Sequence, residues 1–431
     1  MTALNYIYFI ILTIYAFYLL NAKRIVVKNP LNREQLLALT GPEALWILLF
    51  STGILSLGAR GVIDLSAIRM MSVELFAIVG LLYVSNKPIL GFAGSAFIIF
   101  LIWAVIGLFY TSSLSFGVRT ILKYIYPLLM MLFASAVVRD KEVFYKATIF
   151  ARGLAIIVFI ISFIPYAPSF LPIFSYGTAL AINFIFMMAL SWAMYFFLGK
   201  RRIDLLLSLA FLIPCFVWVF RTSIAGSGIA LMVFFFFKYK IRSLPIVLFI
   251  IIAGVIAVFT IPSLHEKMFD GKDVTLEEFQ EGKVNQDDVN DNARYMIWDN
   301  LKKHQYYGKE AIGSGTGSSQ NYMYTAPRKT FGGIKVAHNE FLMILCDLGI
   351  IGLILYLLIF FFMIVHCFIV YNRKDYPVSI RLAAITSGGA IAGMIFTMYS
   401  DNTILYSMAT LGYPFGFYGM MLGLLKTERE T

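Results

Sequence analysis

Histidine is the side chain best suited to accept a proton near neutral pH, and His338 is the histidine best placed to do so. It lies in the stretch 337–342, where a long polar loop meets an apolar segment. A neutral imidazole there can take the proton of a hydroxyl group, so we expect His338 to act as a general base. Two roles are open for Asn339 and Glu340: they orient a polar substrate or the imidazole, or they cap and begin a helix.

Arg221 lies between two apolar segments, just before the small-residue run 225–228. Its guanidinium offers paired donors to phosphate oxygens, so we interpret it as an anion clamp. The alternative is an interfacial arginine that reaches toward lipid headgroups. The tight hairpin of small residues favours the clamp.

Arg119 and Lys123 are four residues apart, so a helix would place both cations on one face. A shared anionic ligand would relieve their repulsion. Two side chains that reach independently toward the membrane interface explain the pattern equally well.

Arg294 and Trp298 belong to a stretch, 292–304, that is predicted to form an amphipathic helix with Tyr295, Trp298 and Leu301 on one face. Considered alone, Arg294 fits a solvated helix face better than a binding site.

Asp401 and Asn402 stand between the last two apolar segments. A turn with helix capping and a contact to substrate are equally consistent with this placement.

The sequence predicts neither a metal site nor a disulfide framework. The other histidines lack partners at ligand spacing, and the cysteines, odd in number, all fall in apolar segments. The residues concerned are His265, His304, His366, Cys215, Cys346 and Cys367. The acidic run 287–291 lacks the glycine and the final glutamate of a calcium loop, so we interpret it as a solvated stretch.

The elements that must position these residues are membrane helices. Of 431 residues, 60% are hydrophobic and 14% charged, whereas soluble proteins carry about 25% charged residues. Apolar runs of spanning length recur along the chain without a polar face, which excludes a soluble protein with buried helices. The net charge of +11 does not indicate nucleic-acid binding, because the basic residues are dispersed in short clusters between apolar runs.

We therefore predict an all-α polytopic membrane protein with about 13 transmembrane helices, in a range of about 12 to 14. The first run lacks a basic region before it and a small-residue cleavage site after it, so we expect it to be a retained span. The predicted spans are 4–20, 36–57, 69–84, 89–109, 119–138, 147–165, 176–198, 203–220, 224–237, 244–262, 340–371, 379–399 and 403–425.

Basic clusters near 23–33, 200–202, 238–242 and 373–374 predict that those loops are cytoplasmic. The long loop is then extracytoplasmic. The predicted organisation is a bundle of about 10 spans, the large loop, and a closing bundle of about 3 spans. Their ranges are 1–262, 263–338 and 339–431.

The long loop is acidic in its first half and basic in its second. Its Tyr, Phe and Trp residues indicate that it folds on the outer membrane face, with 313–319 as a flexible glycine-rich turn segment.

Taken together, the chain resembles the O-antigen polymerase and O-antigen ligase superfamily, most strongly over 290–355. Four stretches carry the resemblance: Arg221-Thr222-Ser223; Arg294-x-x-x-Trp298 through Gly308 to Gly313-x-Gly315-x-Gly317; Ala337-His338-Asn339-Glu340-Phe341-Leu342 followed by Asp347-Leu348-Gly349-Ile350-Ile351-Gly352; and Asp401-Asn402.

This resemblance implies a C-type membrane glycosyltransferase that moves a glycan from undecaprenyl pyrophosphate to an acceptor hydroxyl. It implies that Arg221 and Arg294 bind the pyrophosphate and that His338 lies at the acceptor. It implies no nucleotide sugar, metal or other cofactor. The residues we expect to contact substrate are Arg119, Lys123, Trp298, Asn339, Glu340, Asp401 and Asn402.

Three functions remain open. We favour a polymerase that joins lipid-linked repeat units into O-antigen, capsule or exopolysaccharide; the second is a ligase that moves glycan onto a lipid A core or other acceptor. The third is a flippase or transporter, which would show internal repeats and polar residues at mid-membrane.

The expected location is the bacterial inner membrane, with the active site facing the periplasm or exterior. Expected partners are the undecaprenyl-pyrophosphate-linked glycan, membrane lipids, a flippase and a chain-length regulator, but no nucleic acid.

Overall fold

The computed structural model describes residues 2–32, 34–55, 65–164, 178–284, 289–290, 294–331 and 333–430, and most of them are helical. In chain order the elements are α1 (Thr2–Asn21), β1 (Ile25–Lys28), β2 (Leu36–Leu39), α2 (Gly41–Thr52), α3 (Leu65–Tyr83), α4 (Gly91–Ile106), α5 (Leu114–Val137), α6 (Lys141–Ser162), α7 (Thr178–Phe197), α8 (Arg202–Ala210), α9 (Ile213–Val217), α10 (Arg221–Tyr239), α11 (Leu244–Thr260), α12 (Pro262–Phe269), α13 (Leu276–Gln280), α14 (Arg294–Gln305), α15 (Ser318–Thr325), α16 (Arg328–Phe331), α17 (Glu340–Asn372), α18 (Val378–Ser400) and α19 (Gly412–Glu430). Short 3-10 turns lie at Gly107–Tyr110, Lys240–Ser243 and Thr403–Tyr406.

Seven helical stretches of the described chain are long and apolar enough to cross a membrane. They are Gly91–Tyr110, Leu114–Val137, Lys141–Ser162, Ala179–Phe197, Arg221–Thr260, Glu340–Asn372 and Val378–Ser400. The predicted class, a helical polytopic membrane protein, is therefore confirmed. The number of spans and their orientation stay predictions.

The span predicted at 36–57 begins later in the structure. Its first residues form β2, which pairs antiparallel with β1, and the helix starts at Gly41. The backbone N–H of Thr40 donates to the Glu43 carboxylate at 2.7 Å, which satisfies a free donor at the helix start. Local capping therefore decides where this helix begins.

Two other predicted spans are interrupted. The segment 203–220 is divided into α8 and α9, and Pro214 stands in the first turn of α9, where its missing N–H costs no helical hydrogen bond. The segment 403–425 opens with a 3-10 turn, and α19 starts at Gly412. Some predicted residues lie outside the described part of the chain, namely 56–57, 165, 176–177, 292–293 and most of 287–291.

Helix α18 is the centre of the bundle and packs against α7, α10, α17 and α19. Its contact with α10 is close because glycines face each other. A Cβ atom added to Gly393 would lie 2.5 Å from the carbonyl oxygen of Gly226. Small residues of this kind let membrane helices approach and pack. This contact fixes the start of α10 relative to the end of α18.

Residues 313–317 form bends and turns, as predicted, but the glycine-rich segment 313–319 is buried, so it is not the flexible loop that its glycines suggested. Helix α17 is broken at Gly349, where φ is +68°. The break frees backbone groups, and the segment satisfies them: the N–H groups of Ser314 and Gly315 donate to the carbonyls of Cys346 and Asp347 at 2.9 and 2.8 Å. Irregular backbone is tolerated where other protein groups pair with it.

Side-chain size explains why this segment contains glycine at alternate positions. Gly313, Gly315 and Gly317 all have positive φ. A Cβ atom on each would lie 2.4 to 2.6 Å from neighbouring backbone at Asp347, Thr111 and Gly117. The segment is therefore wedged between α17 and the start of α5.

The predicted loop helix forms as α14, with a different buried face from the one expected. Ile297, Trp298 and Leu301 are buried, whereas Tyr295 is 46% exposed. The buried face packs on a small apolar cluster of Met323, Phe331, Ala337, Leu342 and Cys346. Through this cluster the residues 294–331 and 333–338 rest on one end of the bundle, which we call the loop face. The far ends of α7, α10 and α17 form the opposite face.

Candidate active site at the loop face

His338 and Asp401 are paired at the loop face. His338 Nδ1 lies 3.3 Å from Asp401 Oδ1, and 63 residues separate them in sequence. The His338 side chain is 43% exposed, while that of Asp401 is 8% exposed. A carboxylate on Nδ1 leaves Nε2 available to a substrate and can stabilise the imidazolium once it forms.

The backbone of His338 adopts a conformation that non-glycine residues rarely take, with φ of +50°. Such residues persist where surrounding contacts determine them, and they are common at functional sites. One of these contacts comes from Trp298, whose Nε1 donates to the carbonyl of Ala337 at 2.8 Å. The Trp298 ring also meets that of Tyr399 edge-on at 5.8 Å. Trp298 therefore joins the loop helix to both sides of the pair.

Asn339 and Glu340 hold the start of α17. The Asn339 side chain accepts a hydrogen bond from the N–H of Leu342 at 2.9 Å. The Glu340 carboxylate is fully buried and accepts hydrogen bonds from the Tyr356 hydroxyl, the Thr403 hydroxyl and the N–H of Ile404, the last two at 2.8 Å. The geometry favours the helix-start role over a substrate contact for both residues. Glu340 ties the helix that follows His338 to the turn that follows Asp401.

Asp401, the carboxylate of the pair, is held in place by its neighbour Asn402. The N–H of Asn402 donates to Asp401 Oδ1 at 2.7 Å and so fixes that carboxylate. The side-chain oxygen of Asn402 is buried and accepts no hydrogen bond from the described residues. A buried acceptor beside the pair suits the hydroxyl of a ligand or a bound water.

Arg221 is the first residue of α10, and its Nη1 donates to the carbonyl of Asn290 at 2.7 Å. The hydroxyl of the next residue, Thr222, accepts a hydrogen bond of 3.0 Å from Ser400. Ser400 directly precedes Asp401 in sequence. The structure therefore brings the arginine and the His338–Asp401 pair to the same end of the bundle.

Arg221 also lines an apolar groove of about 570 Å³ between α10 and α11, with α12 and α13 over one end. Its walls include Ile224, Gly228, Ile250, Gly254 and Phe279. No side chain of α11 is buried, so this helix is the outermost layer on its side of the groove. Its volume and apolar lining suit a hydrocarbon chain.

A second cation, Lys267, lies close to Arg221. Burial lowers the pKa of Lys267, and the positive charge of Arg221 lowers it further. Lys267 Nζ also lies 5.8 Å from the ring centre of Phe220. Two neighbouring cations at the end of an apolar groove attract an anionic headgroup.

The remaining predicted residues stand at the loop face on other elements. Arg119 is exposed and Lys123 half-buried on α5, and α5 contacts the turn 403–406. Arg294 is half-buried at the first position of α14, one turn before Trp298. Within the described residues, no three His, Cys, Asp or Glu side chains are grouped to hold a metal ion.

Sequence reasoning missed Lys267 and Ser400, and it named Thr222 only within a motif, without a role of its own. Lys267 stands among the acidic residues of the loop, and no short-range pattern relates it to Arg221. The contact of Ser400 with Thr222 spans 178 residues. Their proximity arises from helix packing, which spacing along the chain does not reveal.

Residues 206–357 match a family model described as O-antigen ligase. The match covers Arg221, Arg294 and His338 and ends before Asp401. It supports the O-antigen ligase and polymerase superfamily, and the resemblance predicted from the sequence is thereby confirmed. No curated protein matches the chain.

Proposed function

We propose that this chain of the O-antigen ligase and polymerase superfamily is a polymerase. It joins undecaprenyl-pyrophosphate-linked repeat units into a polysaccharide on the outer face of the inner membrane. One observation carries the proposal: contacts link a histidine–carboxylate pair, His338 and Asp401, to Arg221 at the mouth of an apolar groove. This arrangement supports the proposal that a base for a hydroxyl and a site for a lipid diphosphate share one end of the bundle.

In the proposed reaction an acceptor sugar hydroxyl lies at His338 Nε2. The hydroxyl oxygen attacks the anomeric carbon of the donor while its proton passes to the imidazole. The bond from that carbon to the pyrophosphate oxygen breaks, and undecaprenyl pyrophosphate leaves with the electron pair. Asp401 stabilises the imidazolium through Nδ1. A single displacement of this kind inverts the anomeric centre.

Negative charge develops on the leaving pyrophosphate, so its stabilisation lowers the barrier. Arg221 lines the groove mouth and Lys267 lies close to Arg221, so the two supply neighbouring cations there. Arg294 supplies a third, at the start of the loop helix. No step requires a metal ion, because three cations can balance the diphosphate. The apolar groove would hold the first isoprene units of the donor tail.

A ligase is the second candidate. The match to a family described as O-antigen ligase favours keeping transfer to a lipid A core as an alternative. The chemistry at His338 is the same in both reactions, and the acceptor differs. A transporter is less well supported, because His338, Asp401 and Arg221 all stand at helix ends rather than at mid-membrane.

The test is a lipid-linked glycan assay in membranes that contain wild type or His338→Ala at equal protein level. The host's own undecaprenyl-pyrophosphate repeat unit is the substrate, and products are separated by size. We expect a ladder of multimers with wild type and a loss of about 10²–10⁴-fold in His338→Ala. The matched control is His304→Ala, an exposed histidine on α14, which should retain the ladder.

Each other outcome has a definite meaning. Single units found on another acceptor would replace the polymerase by the ligase. Substrate that changes leaflet without a new glycosidic bond would refute both enzymes. Full polymer synthesis by His338→Ala would remove the general base from the mechanism.

A further inference from the structure

A cluster of cations and aromatic rings lies at the opposite face, far from the His338–Asp401 pair. Lys238, near the end of α10, places its ammonium 3.3 Å from the ring centre of Phe196 at the end of α7. The ring centres of Tyr239 and Phe197 lie 5.5 and 5.9 Å away. Cation–π contacts of this kind hold a lysine at a defined position.

Arg381 of α18 belongs to the same cluster. Its guanidinium lies 5.6 Å from the ring centre of Phe197 and 5.5 Å from that of Tyr371. Its Nε donates to the carbonyl of Tyr371 at 3.2 Å. Arg381 stands near the N-terminus of α18, where the helix dipole disfavours a cation. An arginine at such a position is stabilised by a nearby anion.

The charges in this cluster have one sign. Lys238 and Arg381 lie 5.9 and 5.6 Å from the centre of the same Phe197 ring, and Lys200 is near enough to Lys238 for their charges to repel. Across the described ranges, the ion pairs to carboxylates involve other cations, and none includes Lys200, Lys238 or Arg381. The half-buried Lys238 and Arg381 and the exposed Lys200 therefore form a cationic cluster. No carboxylate of the described residues lies within 4 Å of these three cations.

We propose that Lys200, Lys238 and Arg381 bind the phosphate of an anionic phospholipid headgroup at the opposite face. A guanidinium and two ammonium groups match a phosphodiester in charge and in donors. Tyr is enriched at the membrane–water interface, and basic pockets between membrane helices bind anionic headgroups.

A lipid fits better than a soluble phosphate because apolar side chains lie next to the cluster. Phe236 is 46% exposed, Ile241 77% and Leu244 62%, so acyl chains would have apolar surface to cover. The basic loops at this face are predicted to be cytoplasmic, and that leaflet carries anionic lipids. Lys240 and Arg242 are exposed on the adjoining turn and provide matched controls.

The experiment measures lipid binding to the purified full-length protein by native mass spectrometry and thermal unfolding. Phosphatidylglycerol is compared with phosphatidylcholine of the same acyl chains. We expect preferential retention of phosphatidylglycerol and a higher Tm. Each cation removed should weaken binding about fivefold, so Lys238→Gln/Arg381→Gln should weaken it roughly 25-fold. Lys240→Gln/Arg242→Gln, which loses the same charge, should keep most of the affinity.

Equal losses in the two double variants would overturn the site, because general surface charge would then explain binding. Equal affinity for the two lipids would overturn it as well. A third arm adds inorganic phosphate: stabilisation equal to that by phosphatidylglycerol would assign the cluster to a soluble anion instead. If the first double variant folds poorly, the single variants Lys238→Gln and Arg381→Gln decide, since the proposal requires each to lose about fivefold in affinity.

Discussion

The hydroxyl of Ser400 donates a hydrogen bond of 3.0 Å to the hydroxyl of Thr222. This contact joins the residue before Asp401 to the residue after Arg221. It therefore couples the proposed proton acceptor to the proposed diphosphate site across the α10–α18 interface. Close packing of Gly226 on Gly393 places the two helices near enough for it to form.

Loss of the hydrogen bond between Ser400 and Thr222 should lower the stability of the protein. Ser400→Ala and Thr222→Val should each cost about 1 kcal/mol of stability, the usual net value of a hydrogen bond. Because both remove the same bond, the double variant should lose less than the sum of the two. Thermal unfolding with a double-mutant cycle measures this, and Thr222→Ser is the conservative control. Strictly additive losses would show that the hydroxyls do not act on each other.

Asp401→Asn should lower glycan transfer by roughly tenfold or more, because the imidazolium of His338 loses its carboxylate. Donor binding should change little, since Arg221 and Lys267 remain. The measurement is the multimer assay together with donor binding, at equal protein level. Asp375→Asn, an exposed carboxylate at the opposite face, is the control. Transfer by Asp401→Asn at the wild-type rate would remove Asp401 from the mechanism.

Lys267 should make donor binding sensitive to pH. Its pKa is lowered by burial and by Arg221, and lysine is charged only below its pKa. As the pH rises through that lowered value, the groove mouth loses a cation, so affinity for a polyprenyl diphosphate should fall. Binding measured from about pH 7 to about pH 10 tests this.

Lys267→Arg retains the charge over this range and should flatten the curve. Lys303→Arg, on the exposed side of α14, should leave the wild-type curve unchanged. A Lys267→Arg curve that still falls as the wild type does would assign the titration to another group.

Asp347 should hold the glycine-rich segment against α17. Its two carboxylate oxygens accept from the N–H groups of Gly317 and Ser319, both at 2.7 Å. In Asp347→Asn one of these donors would face an NH₂ group. We expect a loss of about 1–3 kcal/mol in stability and faster proteolysis within 313–319. The control is Glu310→Gln, a change at an exposed residue of the same loop. In this variant the segment 313–319 should resist proteolysis as well as it does in wild type. If Asp347→Asn resisted proteolysis within 313–319 as well as wild type does, glycine packing alone would hold the segment.

Several features follow from the amino-acid sequence by itself. Long apolar runs with few charges determine a helical polytopic membrane protein, because a bilayer requires backbone groups to be paired within each span. The motif stretches around Arg221, Arg294 and His338 were sufficient to indicate the superfamily that the family match supports. The loop helix at 294–305 was also predictable, since apolar residues recur there at helical spacing.

Tertiary structure decided what these residues contact. His338 meets Asp401 across 63 residues, and Trp298 binds the carbonyl of Ala337, because separate helices end at one face. The segment 313–319 looked flexible from its glycines, yet the break at Gly349 provides backbone groups that bury it. Periodicity and capping report on neighbours a few residues apart. Partners in a site are chosen by packing between helices that are distant in sequence, and local patterns do not specify that packing.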